Sequence, residues 1–355
     1  MRGVVRLAVE AAARERVLVV ASAVSGGGRA GGYPEGRAAG EPVRSVRAFA
    51  PAGIGNFAAG FDVLGAAVAP VDGSLWGDVV EITEAPVSSF VCRGPFAHRL
   101  PADPEDNLVV RTLAFFTEAT GIPLPPLAIT LHKGLPVKSG LGSSAASAVA
   151  AAVALNAWSG EPLDSARLLE VAGRAESLAS GALHLDNVAP ILLGGLILVP
   201  PESLPRRLPF PTGLAVVVAS PELEVATVEA RRVLPKDVSL GLAVEHAQNL
   251  AAFVHALHTG DRPLLRETLH DLLAEPYRAG LVRGFREAQH GALEAGALGA
   301  SLSGAGPAVF AVAEEGDAPA VAAALESGFR GAGVGAIVRI CRIDDRGARV
   351  LESEP

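Results

Sequence analysis

Hydrophobic positions recurring with period two mark residues 46–50 as a strand that ends at Pro51. Short apolar runs predict further strands at 79–82, 90–92, 127–131, 214–218, 308–312 and 336–343. The apolar run 191–199 also reads as strand-like, up to the stop at Pro200-Pro201. Between these runs the period lengthens towards 3.6. It predicts a helix from a cap at Asp106-Asn107 to about Ala119, and an alanine-rich helix beginning near Ser143. Further helices are expected over 164–175, 240–258, 264–273, 282–295 and 318–325. Strands and helices interleave in both halves, but sparsely and without regular βαβ spacing, which predicts an α+β fold over a doubly wound sheet.

A chain of 355 residues suggests about two domains. The proline-rich segment 200–211 is the expected boundary, giving units over 43–207 and 208–355. Residues 1–42 differ from the rest, with an Ala/Arg/Glu run, a short apolar segment at 17–24 and a glycine-rich charged tract. They are expected to form an extension without a packed element, a signal peptide or a start near Val43 being the alternatives. The uncharged stretch 139–160 raises the question of a membrane span. Its opening glycines and serines, with Ser147, Asn156 and many alanines, instead predict a buried core helix.

A formal net charge of -8 disfavours nucleic acid or an acidic membrane surface as partner, so a small anion must be handled locally. Cys92 and Cys341 have no metal-ligand spacing and are too few for a disulfide scaffold, which makes a reducing cytoplasm the expected location. The oligomeric state is left open, a homodimer included.

The chemistry concentrates at Pro136-Val137-Lys138-Ser139-Gly140-Leu141-Gly142-Ser143-Ser144-Ala145-Ala146. A glycine-rich turn that feeds a helix N-terminus presents successive backbone N–H groups to polyanionic oxygens. A serine hydroxyl there suits magnesium. A plain tight turn before a buried helix is the alternative. Gly140 to Ala145 and Gly53 to Ala58 each match the G-x-G-x-x-G/A dinucleotide fingerprint formally. The first lacks a strand running directly into its glycine, the second has no room for a crossover helix before Pro70, and no P-loop motif occurs.

Pro136 to Ala146 resembles the P-x-x-x-G-L-G-S-S-A-A phosphate loop of the GHMP kinases, named for galactokinase, homoserine kinase, mevalonate kinase and phosphomevalonate kinase. Ser301 to Pro307 resembles their C-terminal S-x-S-G-A-G-P motif. Three further segments are similar to the homoserine kinase branch: Asn56 to Asp62 (N-L-G-x-G-F-D), His184 to Pro190 (H-x-D-N-V-A-P) and Pro276 to Leu281 (P-Y-R-A-x-L). The resemblance runs from about residue 46 to the C-terminus. Phe57 and Ala58 replace the usual Leu and Gly, and Arg283 replaces a usual proline. These departures bear on loop geometry more than on chemistry.

The resemblance implies a two-domain GHMP kinase fold, with an N-terminal ATP-binding domain and a C-terminal α/β sandwich domain. It implies ATP- and magnesium-dependent phosphorylation of L-homoserine to O-phospho-L-homoserine on the route to threonine. Residues 136–146, Ser303, Gly304, Ala305 and Gly306 would hold the nucleotide, with Asn107 near the adenine and Ser144 and Glu176 at the magnesium. For an amino-acid acceptor, Asp62 suits the ammonium, and Arg231 and Arg278 suit the carboxylate, with Arg232 the alternative to Arg231 if the register differs. Asn56 and Asn187 supply neutral hydrogen bonds. Asn187, Arg231 and Thr227 are the implied catalytic groups. Asn187 stands where other members carry an aspartate base, which implies transfer without a strong side-chain base; His184 and Asp186 are the lower-ranked base candidates. A mevalonate-type alcohol kinase, a dinucleotide-binding oxidoreductase and a non-catalytic ligand-binding or regulatory homologue are the rival readings, the last disfavoured by Ser144 and Glu176.

Overall fold

The computed structural model describes residues 16–18, 44–101, 103–181, 185–201 and 203–354. His184 and almost all of the 1–42 extension lie outside these residues. The first half supplies strands β1 (Arg16–Leu18), β2 (Ser45–Gly55), β3 (Leu64–Pro70), β4 (Gly77–Glu84), β5 (Ser89–Arg93) and β6 (Leu127–His132). Along the sheet they run β1-β5-β6-β4-β2-β3.

Helices α1 (Leu108–Thr120), α2 (Ser143–Trp158) and α3 (Ser165–Ser180) pack together, with α2 lying on β2 and β4. Its alanines let it approach the sheet closely and leave it buried on nearly all sides, which accounts for the uncharged stretch. Among the described residues no helix is long and apolar enough to cross a membrane.

Strand β2 does not stop at Pro51. On one edge it pairs with β4 as far as Pro51 opposite Gly77, and on the other Ala52 to Gly55 pair with β3. The proline therefore falls where its missing N–H breaks no ladder. Gly53 and Gly55 are strand residues facing β3 and no helix follows them, so this glycine pair is not a dinucleotide turn.

The run 191–199 is also divided differently from the expectation. Helix α4 (Leu185–Leu193) takes its first part, with Pro190 inside it, and only β7 (Leu196–Leu198) is strand, paired to β3 and to β8 (Arg206–Leu208). A short apolar run carries no decisive period, and packing against β2 and β3 selects the helix.

The second half continues with β9 (Leu214–Pro221), α5 (Thr227–Arg232), α6 (Leu240–Thr259), α7 (Arg262–Thr268), α8 (Glu275–Arg278) and α9 (Phe285–Glu294). It ends with β10 (Gly299–Leu302), β11 (Val309–Glu314), α10 (Ala318–Gly331), β12 (Ala336–Ile343) and β13 (Arg349–Glu354). The sheet carries on from β3 as β12-β9-β11-β10. Helices α9 and α10 cover this part over Phe285, Val321, Leu325 and Phe329. Strand β13, beyond the last strand the pattern predicts, pairs with β2. Antiparallel pairing predominates, as an α+β fold requires, and β5 with β6 is parallel.

Candidate active site

The ends of β2, the loop before α2, the start of α4, α5, α8 and the loop after β10 surround one cavity of about 880 Å³. The phosphate motif forms one wall. Lys138, Gly140 and Gly142 all have positive φ (56°, 80° and 63°), the alternation of hand that anion-binding backbone turns use. Gly142 is the N-cap of α2 and supplies no side-chain acceptor, so the first-turn N–H groups are left for an anion.

The motif is bonded in place from both halves. Gly53 N–H donates to Leu141 O at 3.0 Å, and Ala308 N–H donates to Ser139 O at 2.9 Å. Ser303 Oγ, from the second glycine motif, donates to Gly140 O. A Cβ on Gly140 would stand 2.4 Å from Ser303 O, so this contact of two glycine loops admits no side chain.

A buried ion pair that the sequence reading missed lies beneath the motif. Lys133 Nζ meets Asp78 Oδ2 and also donates to Ser143 O at 2.7 Å and Ser147 Oγ at 3.0 Å. Asp78 accepts in addition from Ser147 Oγ at 2.6 Å and, through Oδ1, from the N–H groups of Gly134 and Leu135. One carboxylate thereby ties β4, the approach to the phosphate loop and the first turn of α2. Asp78 and Lys133 are 55 positions apart, and a lone Lys before Gly134 carries no local signal.

Ser144 Oγ donates to Glu176 Oε1 at 2.8 Å, and both residues line the cavity. Burial pushes the Glu176 carboxyl up to about 7, against the pull of that hydroxyl. A hydroxyl and a buried carboxylate, with room for water and phosphate oxygens, form a donor set that fits magnesium. Asn107 reaches the cavity too. Its Oδ1 caps α1 by accepting Val109 N–H at 3.0 Å.

The same cavity is lined by the groups expected to meet an acceptor. Asn56 is a hub: its N–H donates to Asp186 Oδ2 at 3.1 Å, its Nδ2 to Gly304 O at 3.1 Å, and its Oδ1 accepts Asp62 N–H at 2.9 Å. Asn56, Ala58 and Asp62 all have φ between 52° and 56°. Left-handed backbone costs a non-glycine residue about 1 kcal/mol or more, and three such residues in seven mark a loop held by its surroundings. Ala58 adopts the conformation that suits the family's glycine. Phe57 is fully buried and stacks on Phe310 at 4.7 Å.

Arg278 is buried and donates through Nε to Ala230 O at 3.1 Å and through Nη1 to Gly304 O at 3.0 Å. Arg231 lines the cavity, whereas Arg232 is exposed. Asp62 and Arg231 form a two-pronged ion pair with each other, at 2.6 and 2.9 Å. Both guanidinium groups lie near the Phe61 ring, at 5.5 Å for Arg231 and 5.3 Å for Arg278.

Asn187 sits between Gly55 and Gly142: a Cβ on Gly55 would fall 2.5 Å from its Nδ2, and one on Gly142 would fall 3.2 Å from its Oδ1. Its amide therefore lies beside the phosphate loop. Thr227 lines the cavity at the exposed start of α5. Arg283 is exposed and donates to Gly333 O, away from the cavity.

Residues 107–195 match the GHMP kinases N terminal domain, and residues 253–331 match the GHMP kinases C terminal. The homoserine kinase of Cytophaga hutchinsonii is 36% identical with a TM-score of 0.79, the match covering 86% of this chain and 97% of that one. The chain belongs to the GHMP kinase family. The chain is accordingly a kinase that phosphorylates an alcohol, with ATP as the phosphoryl donor. The fold also matches two more distant structures. A Listeria monocytogenes protein assigned as a homoserine kinase is 24% identical (TM-score 0.64, 86% of this chain and 99% of that one). The L. major mevalonate kinase in complex with R-mevalonate is 17% identical (TM-score 0.65, 84% and 96%).

Proposed function

We propose that this GHMP kinase transfers the γ-phosphoryl group of ATP to the side-chain hydroxyl of L-homoserine, forming O-phospho-L-homoserine on the route to threonine. The observation that carries the acceptor assignment is the grouping of Asp62, Arg231 and Arg278 in the wall of the same cavity as the phosphate motif and Asn187. One carboxylate and two guanidinium groups suit an ammonium and a carboxylate on one small molecule. A mevalonate-type acceptor has no ammonium to meet Asp62. The 36% identity with a homoserine kinase supports the same acceptor.

In this reading residues 136–146 and 303–306 cradle the nucleotide, and Asn107 lies at its adenine end. Ser144 and Glu176 would hold magnesium, which when bound neutralises charge on the phosphates. Thr227 and Arg231 stand at the transfer zone. Asn187 aligns the acceptor hydroxyl and cannot take its proton, so the proton passes to a phosphate oxygen. Asp186 ranks below it as a base because it is buried and already accepts the Asn56 N–H. The division into units at about residues 207–208 is supported by the proline-rich segment there. A cytoplasmic site and small-molecule rather than nucleic-acid or membrane partners are supported by the free cysteines and the negative charge.

An ADP-release assay across L-homoserine, mevalonate and shikimate tests the acceptor, and absence of a homoserine preference overturns it. Asn187→Ala is expected to reduce turnover sharply. Unchanged turnover there, with loss in His184→Ala or Asp186→Asn, would overturn the base-free transfer.

A further inference from the structure

We propose that the acceptor enters by exchanging ion pairs with the Asp62–Arg231 couple, and that this exchange selects molecules carrying both an ammonium and a carboxylate. The inference rests on the homoserine reading and adds how that site refuses acceptors with one charge.

The two residues come from opposite halves of the chain, Asp62 from the loop after β2 and Arg231 from α5, 169 positions apart. Both oxygens of Asp62 are engaged by the two Nη atoms of Arg231, at 2.9 and 2.6 Å, and the pair is about one-third exposed at the cavity wall. The groups best suited to the two ends of an amino acid therefore satisfy each other before it arrives. A zwitterion can replace both contacts together. Its ammonium takes the place of Arg231 on Asp62, its carboxylate takes the place of Asp62 on Arg231, and the site gains no net charge.

Acceptors with one charge leave a partner stranded. A carboxylate without an ammonium draws Arg231 away and leaves the Asp62 charge near buried Asp186, whose carboxyl is already pushed up by burial and by Asp62. An ammonium without a carboxylate leaves Arg231 beside Arg278 over the same Phe61 ring. Stranding a partly desolvated charge costs far more than the pair itself contributes, so the discrimination comes from the contact that is lost.

The test compares kcat/KM of the full-length wild type and Asp62→Asn on L-homoserine and on 4-hydroxybutyrate, the same acceptor without its ammonium. In the variant, the homoserine value is expected to fall by about 100-fold, from loss of the ammonium contact. The 4-hydroxybutyrate value is expected to rise by about tenfold, because no carboxylate is left stranded. A gain on one substrate cannot come from a misfolded variant. If Asp62 merely contacts the ammonium, the 4-hydroxybutyrate value stays level or falls, and the exchange is overturned while the homoserine reading stands. If wild type turns over neither compound, the acceptor reading fails and the exchange with it.

Discussion

Ser303 and Gly140 are 163 positions apart in the chain, and Oγ of the first donates to the carbonyl of the second at 2.5 Å. The two glycine motifs are thus one unit in space, and the phosphate loop owes its shape to a residue far outside it. Gly140→Ala puts a methyl group against Ser303 O and the Gly306 backbone at a φ of 80°. The expected result is a loss of at least about 2 kcal/mol in urea unfolding, together with weaker ATP binding by titration. A variant that keeps both values would show that the loops do not need this contact.

Lys133→Met leaves the Asp78 carboxylate buried without its ammonium. Breaking one side of such a pair costs about 3–5 kcal/mol, and denaturant unfolding should read a loss on that scale. Adding Asp78→Asn removes the stranded charge while keeping an acceptor for the Gly134 and Leu135 N–H groups, so the double variant should recover part of the loss. Additive losses would show that the two residues act separately.

Phe61 holds Arg231 and Arg278 over one ring. Each contact contributes about 0.5–1 kcal/mol, so Phe61→Leu should raise the acceptor KM roughly tenfold and leave the ATP KM in place, with Phe61→Tyr close to wild type. An equal rise in both KM values would mean that the substitution disturbs the fold instead.

Burial, then the charge of Asp62, pushes the Asp186 carboxyl from 3.8 up to about 6 against the pull of the Asn56 N–H. A folded-state value above the unfolded one favours the protonated form. The contribution is fully present below about pH 4 and is lost as pH rises through about 6, to on the order of 3 kcal/mol. Glu176, pushed up to about 7, acts in the same direction. Urea midpoints of the ligand-free protein should therefore show wild type losing stability relative to Asp186→Asn between about pH 4 and 7. A constant difference across that range would contradict it.

The parts legible from sequence are those whose signals are local. The phosphate loop, the Asn107 cap and the helices α1, α2 and α3 are written in consecutive residues. The pairs that depend on distant partners left no such trace: Lys133 with Asp78, Asp62 with Arg231, and Asn56 with Gly304. Strand β3 gives little sequence signal because Leu-Gly-Ala-Ala-Val-Ala-Pro has one β-branched residue, Val68, and its seven positions are nearly all buried between neighbouring strands, which leaves no polar alternation. Residues 191–193 end a helix instead of starting a strand because a short apolar run has no decisive period of its own and its packing selects one. The charged residues singled out from the sequence, Asp62, Arg231 and Arg278, line one cavity. That Asp62 and Arg231 hold each other is a property of the folded chain alone.

Strand β2 lies between β4 on one edge and β13 and β3 on the other, and β13 spans Arg349–Glu354. A ribosome releases β2 some three hundred residues before that last partner. Until then the edge from Ser45 to Phe49 is open to the wrong neighbour, and loop closure over so long a span is slow. The phosphate loop waits in the same way, since the groups that bond Gly140 and Ser139, the Ser303 hydroxyl and the Ala308 N–H, are made more than 150 residues after it.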